Sequence, residues 1–264
     1  MESCKESFTK YFKYFITGAV FVGSFQCNLL YLANYPEGSR QYVPKPSEHC
    51  LPFKEEILTT SDSVKIRLYV IQQENNASKR PTILYCHGNA GNMGHCLPVA
   101  ERLYNQLRCN IVMLSYRGYG FSEGSPSEKG LKIDAQTALD YIKGHEYRKN
   151  EDKVSGLIVE NTFLSIPKLV PHVIPPLRYF TFFCTQKWES EKAIQNLKHI
   201  PILFLFGECD ELIPKEHCNR LYELANTEGG KDIQSFEFGT HADTVAQPDY
   251  FDSIGRFLSK KIIS

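Results

Sequence analysis

Thr82-Ile83-Leu84-Tyr85-Cys86-His87-Gly88-Asn89-Ala90-Gly91-Asn92 sets the frame of this chain. Five residues of mostly apolar character run straight into a loop of small residues and amides. Such a run is the right length for a strand and too short for a core helix. Residues 93–107 then carry helical spacing, and Asn110-Ile111-Val112-Met113-Leu114-Ser115 is a second apolar run that also ends at a glycine-containing loop. Strand, helix and strand in that order predict a β-α-β unit and an α/β fold whose sheet is at least partly parallel. The 87–92 loop then falls at the C-terminal edge of the sheet, where ligands bind in this architecture.

Working outward, Val64, Ile66, Leu68 and Val70 alternate with polar residues and predict a half-buried antiparallel strand over 64–70. Ser125-Pro126-Ser127-Glu128 opens a helix: Ser125 can cap, Pro126 suits the first helical position and Glu128 completes a capping box. Leu131, Ala135, Leu139 and Ile142 form its inward stripe, and Gly144 ends it. Strands are expected at 154–159, 201–206 and 232–238, with a closing helix at 248–261. The stretch 164–190 is rich in proline and aromatic residues, from Pro167 and Pro171 to Phe180, Phe182, Phe183 and Trp188. It reads as a cap over a binding site, not as part of the sheet.

The 264 residues, 42% of them hydrophobic, fit one domain with a sizeable core. Formal net charge is zero and no basic stripe is present, which argues against nucleic acid as a partner. The nine cysteines include no Cys-x-x-Cys pair and no zinc spacing, so they read mainly as small buried hydrophobes. No metal cluster or nucleotide fingerprint stands out, and the glycine-rich 118–124 run is not a phosphate loop. No cofactor is expected.

No residue from Tyr14 to Pro36 is charged, a length sufficient to cross a bilayer. Lys5, Lys10 and Lys13 precede it and Glu37 follows, which orients the N-terminus to the cytosol. The expectation is a single-pass anchor within residues 1–36, in the endoplasmic reticulum or another endomembrane, followed by an α/β domain over 37–264. Asn76-Ala77-Ser78 is a glycosylation sequon that suits a lumenal domain.

Two loops carry the candidate chemistry. Gly207-Glu208-Cys209-Asp210-Glu211-Leu212-Ile213-Pro214 follows one expected strand and Gly239-Thr240-His241-Ala242-Asp243 follows the last. A carboxylate in the first can accept the Nδ1–H of a histidine and fix its tautomer. Glu208 and Glu211 compete with Asp210 for that role, and Asp210 could also cap the next helix.

Together with Ser115-Tyr116-Arg117-Gly118-Tyr119-Gly120-Phe121-Ser122-Glu123-Gly124 and Glu160-Asn161-Thr162-Phe163, the 87–92 and 207–214 motifs resemble the bud-emergence type of α/β-hydrolase-domain protein. The resemblance runs from about residue 10 to the C-terminus. It implies a membrane-associated serine hydrolase, akin to protein depalmitoylases and serine aminopeptidases. It implies Asp210 and His241 as acid and base and Asn89 and Ala90 at the oxyanion hole. The apolar cap and the membrane anchor favour an acylated protein or lipid as substrate, with a peptide as the alternative.

The family pattern also has a strand, a Gly-x-Ser-x-Gly-Gly elbow and a helix before Glu160. Here only the polar connector 145–153 separates Gly144 from Val154, whereas a strand plus a helix takes about 20 residues. Gly120-Phe121-Ser122-Glu123-Gly124 matches the elbow spelling, but Ser122 lies in a loop well past its strand, and Ser115 and Ser155 lack an elbow altogether. No nucleophile is therefore assigned. Three readings follow: a hydrolase chain from which one unit has been skipped, a membrane-anchored binding or scaffold protein without catalysis, and an enzyme with an unusual nucleophile.

Overall fold

The structure is a computed structural model that describes residues 26–144 and 154–263. Its strands form two sheets. The first has the order β1-β2-β4-β3, from β1 (Phe53–Thr59), β2 (Lys65–Ile71), β3 (Thr82–Cys86) and β4 (Asn110–Ser115). The second has the order β5-β6-β7, from β5 (Leu157–Glu160), β6 (Ile202–Gly207) and β7 (Lys231–Phe236). β1 and β2 form an antiparallel hairpin, and β2 meets β4 antiparallel. All remaining ladders are parallel, with Ile83 opposite Ile111 and Ile158 opposite Leu203.

β1 escapes the alternation pattern because it is an edge strand. Lys54, Glu55 and Glu56 sit in its middle, and its ladder to β2 is turned by Thr60, whose backbone N–H and Oγ1 bond the two ends of Val64 at 2.9 and 3.0 Å. β4 and β6 are buried along their whole length, as strands flanked on both sides and covered on both faces are. β3 and β5 are apolar too, yet every residue of theirs is partly or fully exposed. Each ends its sheet, and among the described residues no strand pairs with the second edge of either.

Helices cover both faces. α1 is described from 26 to 30. α2 (Leu97–Asn105) and α7 (Tyr250–Lys261) lie on one face, where a single apolar cluster takes in Ile111 and Met113 of the first sheet, Leu203 and Leu205 of the second, and Phe251, Ile254 and Phe257 of α7. On the opposite face the apolar packing is divided. α3 (Glu128–Gly144) packs through Ala138 and Ile142 on Leu68 and Leu114, while α6 (Lys215–Leu224) packs through Cys218 and Leu221 on Phe204 and Phe206. α4 (Ile166–Val173), a 3-10 helix at Pro175–Phe183 and α5 (Ser190–Gln195) make up the region expected to be a cap.

Several expectations change. α3 is capped by Ser127, whose Oγ accepts the Gly130 N–H at 3.1 Å, and not by Ser125. Glu128 instead accepts the Lys187 N–H at 2.6 Å and so ties the helix to the cap. The cysteines are less interior than expected: Cys109 and Cys218 are buried, and Cys50, Cys86 and Cys209 are exposed.

The expected membrane span lies mostly outside the described residues. Its last part, 26–36, is folded onto the domain: Tyr31 is buried, its hydroxyl donating to Gln186 Oε1 at 3.0 Å and accepting from Trp188 Nε1 at 2.9 Å. Among the described residues no helix is long and apolar enough to cross a membrane. Gln26, one of the polar residues that interrupt the apolar run, finds its partners in protein.

Candidate functional site

The loops after β6 and β7 are clasped together. Gly207 lies so close to the Gly239 carbonyl that a Cβ there would collide with it, and the Cys209 N–H donates to the same carbonyl at 3.0 Å. This contact brings Asp210 under His241. Asp210 Oδ1 accepts the N–H groups of Leu212 and Ile213, both at 2.8 Å, and Oδ2 takes His241 Nδ1 at 2.9 Å. Of the three acids in the loop, only Asp210 reaches the ring. Glu208 pairs with Lys215 at 3.3 Å, and Glu211 accepts the His241 backbone N–H at 3.2 Å. Asp210 does not cap α6, whose N-cap is Pro214: Oδ1 closes the turn before that helix and Oδ2 meets the ring.

The Asp210 carboxylate is almost sealed, with 2% of its side chain exposed, while 34% of the His241 side chain is open. A carboxylate on Nδ1 assigns the proton to that nitrogen and leaves Nε2 as an acceptor. Among the described residues no protein group bonds Nε2. The backbone carbonyl of His241 is held as well, by Asn161 Nδ2 at 3.2 Å. Asn161 also donates to Thr244 Oγ1 at 3.0 Å and accepts the Gly207 N–H at 3.0 Å. It sits at the end of β5 with φ +41°, in the left-handed region that asparagine tolerates better than most residues. In the sequence only the position of Asn161 just past a strand signals this role.

Asn89 and Ala90 lie at the end of β3, in the other sheet. The Tyr119 hydroxyl donates to Asn89 O at 2.9 Å, the Asn89 amide donates to the Leu30 carbonyl, and Ala90 forms an isolated bridge with Leu32. The Gly91 N–H is taken by the Tyr35 carbonyl at 2.6 Å. No hydrogen bond joins Asn89 or Ala90 to the Asp210–His241 pair. His87 is buried against the edges of Tyr116 and Tyr119, its ring centroid 5.2 and 4.9 Å from theirs, and its Nε2 has no partner. Burial pushes its pKa down from 6.5 to about 4.

Between the two halves, Cys86 and Glu160 end the free-edged strands. Both are open to solvent on the free side, and the Tyr250 hydroxyl donates to Glu160 at 2.6 Å. Ser122 is buried. Its Oγ donates to the Ser115 carbonyl at 2.7 Å and accepts the Arg67 N–H at 3.0 Å, so the hydroxyl ties the loop after β4 to the ends of β2 and β4. Ser115 Oγ is likewise spent on the Tyr119 carbonyl at 3.1 Å.

No family model matches the chain. It is 40% identical over 267 residues to protein bem46 of Schizosaccharomyces pombe, covering 92% of this chain and 89% of that protein. The chain belongs to the bem46 family. Further bem46-type relatives are the uncharacterized membrane protein YNL320W of Saccharomyces cerevisiae, 35% identical over 89% of each chain, and the α/β-hydrolase domain-containing protein WAV2 of Arabidopsis thaliana, 33% identical over 87% of this chain and 85% of that one. Among solved structures, the Pyrococcus furiosus esterase Pf2001 superposes with a TM-score of 0.66 at 17% identity, over 83% of this chain and 95% of the esterase. The bem46-type chain thus has the α/β-hydrolase fold.

Proposed function

We propose that this chain is a membrane-attached serine hydrolase homologue that keeps the acid and base of a triad without its nucleophile. As it stands it binds an acylated protein or lipid and does not cleave it. The observation that carries this reading is the His241 ring, fixed by Asp210 at 2.9 Å, with no hydroxyl or thiol bonded to Nε2 among the described residues. An imidazole so oriented is a general base, but it activates nothing without a partner in reach.

The divided sheet supports the same reading. Among the described residues β3 and β5 each lack a neighbour on one side, and the apolar packing on the α3–α6 face breaks at the same place. Aligned lengths agree in size: 267 positions that draw on 92% of a 264-residue chain leave about two dozen bem46 positions without a counterpart here, close to a strand plus a helix. Of the oxyanion donors, the Asn89–Ala90 loop supplies one side only, since the other belongs to the residue after the serine. Membrane attachment rests on the uncharged Tyr14–Phe25 stretch.

The test is a fluorophosphonate probe and a fluorogenic acyl thioester offered to the purified full chain. Neither labelling nor turnover is expected. Replacing 145–153 by the corresponding bem46 stretch should restore both, with turnover lost again in His241→Ala. Turnover by the unaltered chain that depends on His241 defeats the proposal. So does a replaced chain that melts cooperatively yet stays unreactive.

A further inference from the structure

We propose that the outer face of the 3-10 helix Pro175–Phe183 is the surface by which the folded domain lies on a lipid bilayer. The proposal rests on the membrane attachment argued above and names the contact surface. In a 3-10 helix residues three apart share a ridge. Leu177, Phe180 and Phe183 form one ridge, Tyr179 and Phe182 a second, and Arg178 and Thr181 the third. Two of three ridges are therefore apolar, yet no residue of the helix is buried. Tyr179 is 72% exposed, Phe182 74%, Phe180 54% and Phe183 55%, and Val173 at the end of α4 adds to the patch. The Phe182 and Phe183 rings lie 4.1 Å apart, so the patch is continuous. A contiguous aromatic surface of this kind marks a contact with something apolar.

Two observations choose the bilayer. First, the N-terminal segment enters at this patch. Gln26 Nε2 donates to the Phe183 carbonyl at 2.9 Å, and Gln26 Oε1 accepts the Thr185 N–H at 2.8 Å and its hydroxyl at 3.1 Å. The residues immediately before Gln26, from Tyr14 to Phe25, are uncharged and largely apolar. They are fewer than the roughly 20 needed to cross a bilayer, a length that suits an interfacial segment. Leu29, one turn after Gln26, is 51% exposed and extends the apolar surface toward that segment. Second, the helix that bears the patch carries Arg178 and no carboxylate, the nearby Lys168 being paired with Glu191. The Arg178 guanidinium lies 5.5 Å from the Tyr179 ring centre, an aromatic body with a basic head beside it, as interfacial surfaces require. On this helix itself anionic headgroups would meet no repelling carboxylate.

The experiment uses the full chain reconstituted with phosphatidylcholine–phosphatidylserine vesicles. Trp188 is the one native tryptophan, so Phe182→Trp is made in a Trp188→Phe background, with Ile57→Trp on the far hairpin as control. Vesicles carrying lipids brominated near the headgroup end of the acyl chain then report depth. Docking predicts that the protein floats with vesicles, and that the indole of Phe182→Trp shifts to the blue and loses emission while that of Ile57→Trp does not. Flotation without quenching at 182 overturns the docking surface and leaves membrane attachment standing. Failure to float overturns both. A blue shift that grows with protein concentration in the absence of vesicles assigns the face to a second copy of the chain and also overturns the proposal. Phe180→Ser with Phe182→Ser, at two exposed positions, should preserve the circular dichroism and weaken retention on vesicles in salt. Unchanged retention counts against docking.

Discussion

Asn161, at the tip of β5, holds the backbone carbonyl of His241, 80 residues further along the chain, at 3.2 Å. Its oxygen holds Gly207 at the end of β6, so one amide fixes both loops that carry the acid and the base. Asn161→Ala removes three hydrogen bonds and forces alanine into φ +41°. Losses of about 1–3 kcal/mol are expected from the unsatisfied partners and the backbone. Thermal melts should show it, with Asn161→Gly, which relieves the φ strain, falling between alanine and the parent. Equal melting of Asn161→Ala and the parent would show that the clasp is held without this side chain.

Asp210→Asn should switch the tautomer of His241. The Leu212 and Ile213 N–H groups, at 2.8 Å, keep the side-chain oxygen on their side, so the new amide nitrogen faces Nδ1 and can only donate. Nδ1 then loses its proton and Nε2 carries it, which ends its service as a base. Nitrogen-15 spectra of labelled histidine distinguish the two forms. An unchanged Nδ1–H signal would mean that Asp210 does not set the tautomer.

His87 makes stability depend on acid. The unfolded chain gains a proton there near pH 6.5, the folded chain near 4, so the unfolded state binds more protons in between. Stability from this group is complete above pH 6.5, falls as pH drops through the window and is gone below 4, a change of about 3 kcal/mol. His87→Phe should flatten that slope in urea melts at pH 4 to 7. A slope that survives the substitution assigns the acid sensitivity to other groups.

The free edges of β3 and β5 should cost stability and solubility, since each leaves a row of backbone groups without a ladder. Hydrogen exchange should be fast for β3 and β5 amides that point away from β4 and β6, and slow through the buried β4 and β6. A low, broad melt with light scattering is expected alongside. Uniform protection across all the parallel strands would contradict the open edges.

The parts of this molecule that are legible in sequence are those set by short-range pattern. β3, α2 and β4 follow from apolar runs punctuated by glycine, and the Asp210–His241 pair from two polar residues just past strands. β1 is not legible because an edge strand tolerates the consecutive charges Lys54, Glu55 and Glu56, Lys54 pairing with Glu56 on one face and Glu55 with Arg67 on the other. The N-terminal fold-back is not legible either: Gln26 and Tyr31 look like blemishes in an apolar run until Thr185, Gln186 and Trp188, over 150 residues away, supply their partners. Asn161 is hidden for the same reason, its three partners coming from two other loops. The break in the sheet could be foreseen from the short 145–153 connector, but not which strands would be left at its rims.

α7 makes the two sheets one mechanical body. Its Phe251, Ile254 and Phe257 share one apolar cluster with both sheets, Arg102 of α2 stacks 4.4 Å from the Phe251 ring centre, and Tyr250 bonds Glu160 at the rim of the second sheet. Among the described residues no backbone ladder joins the sheets, so side chains alone carry load across the seam. Side-chain packing has no fixed repeat to hold its register, so the halves are free to settle against each other by small sliding steps that a continuous ladder would forbid.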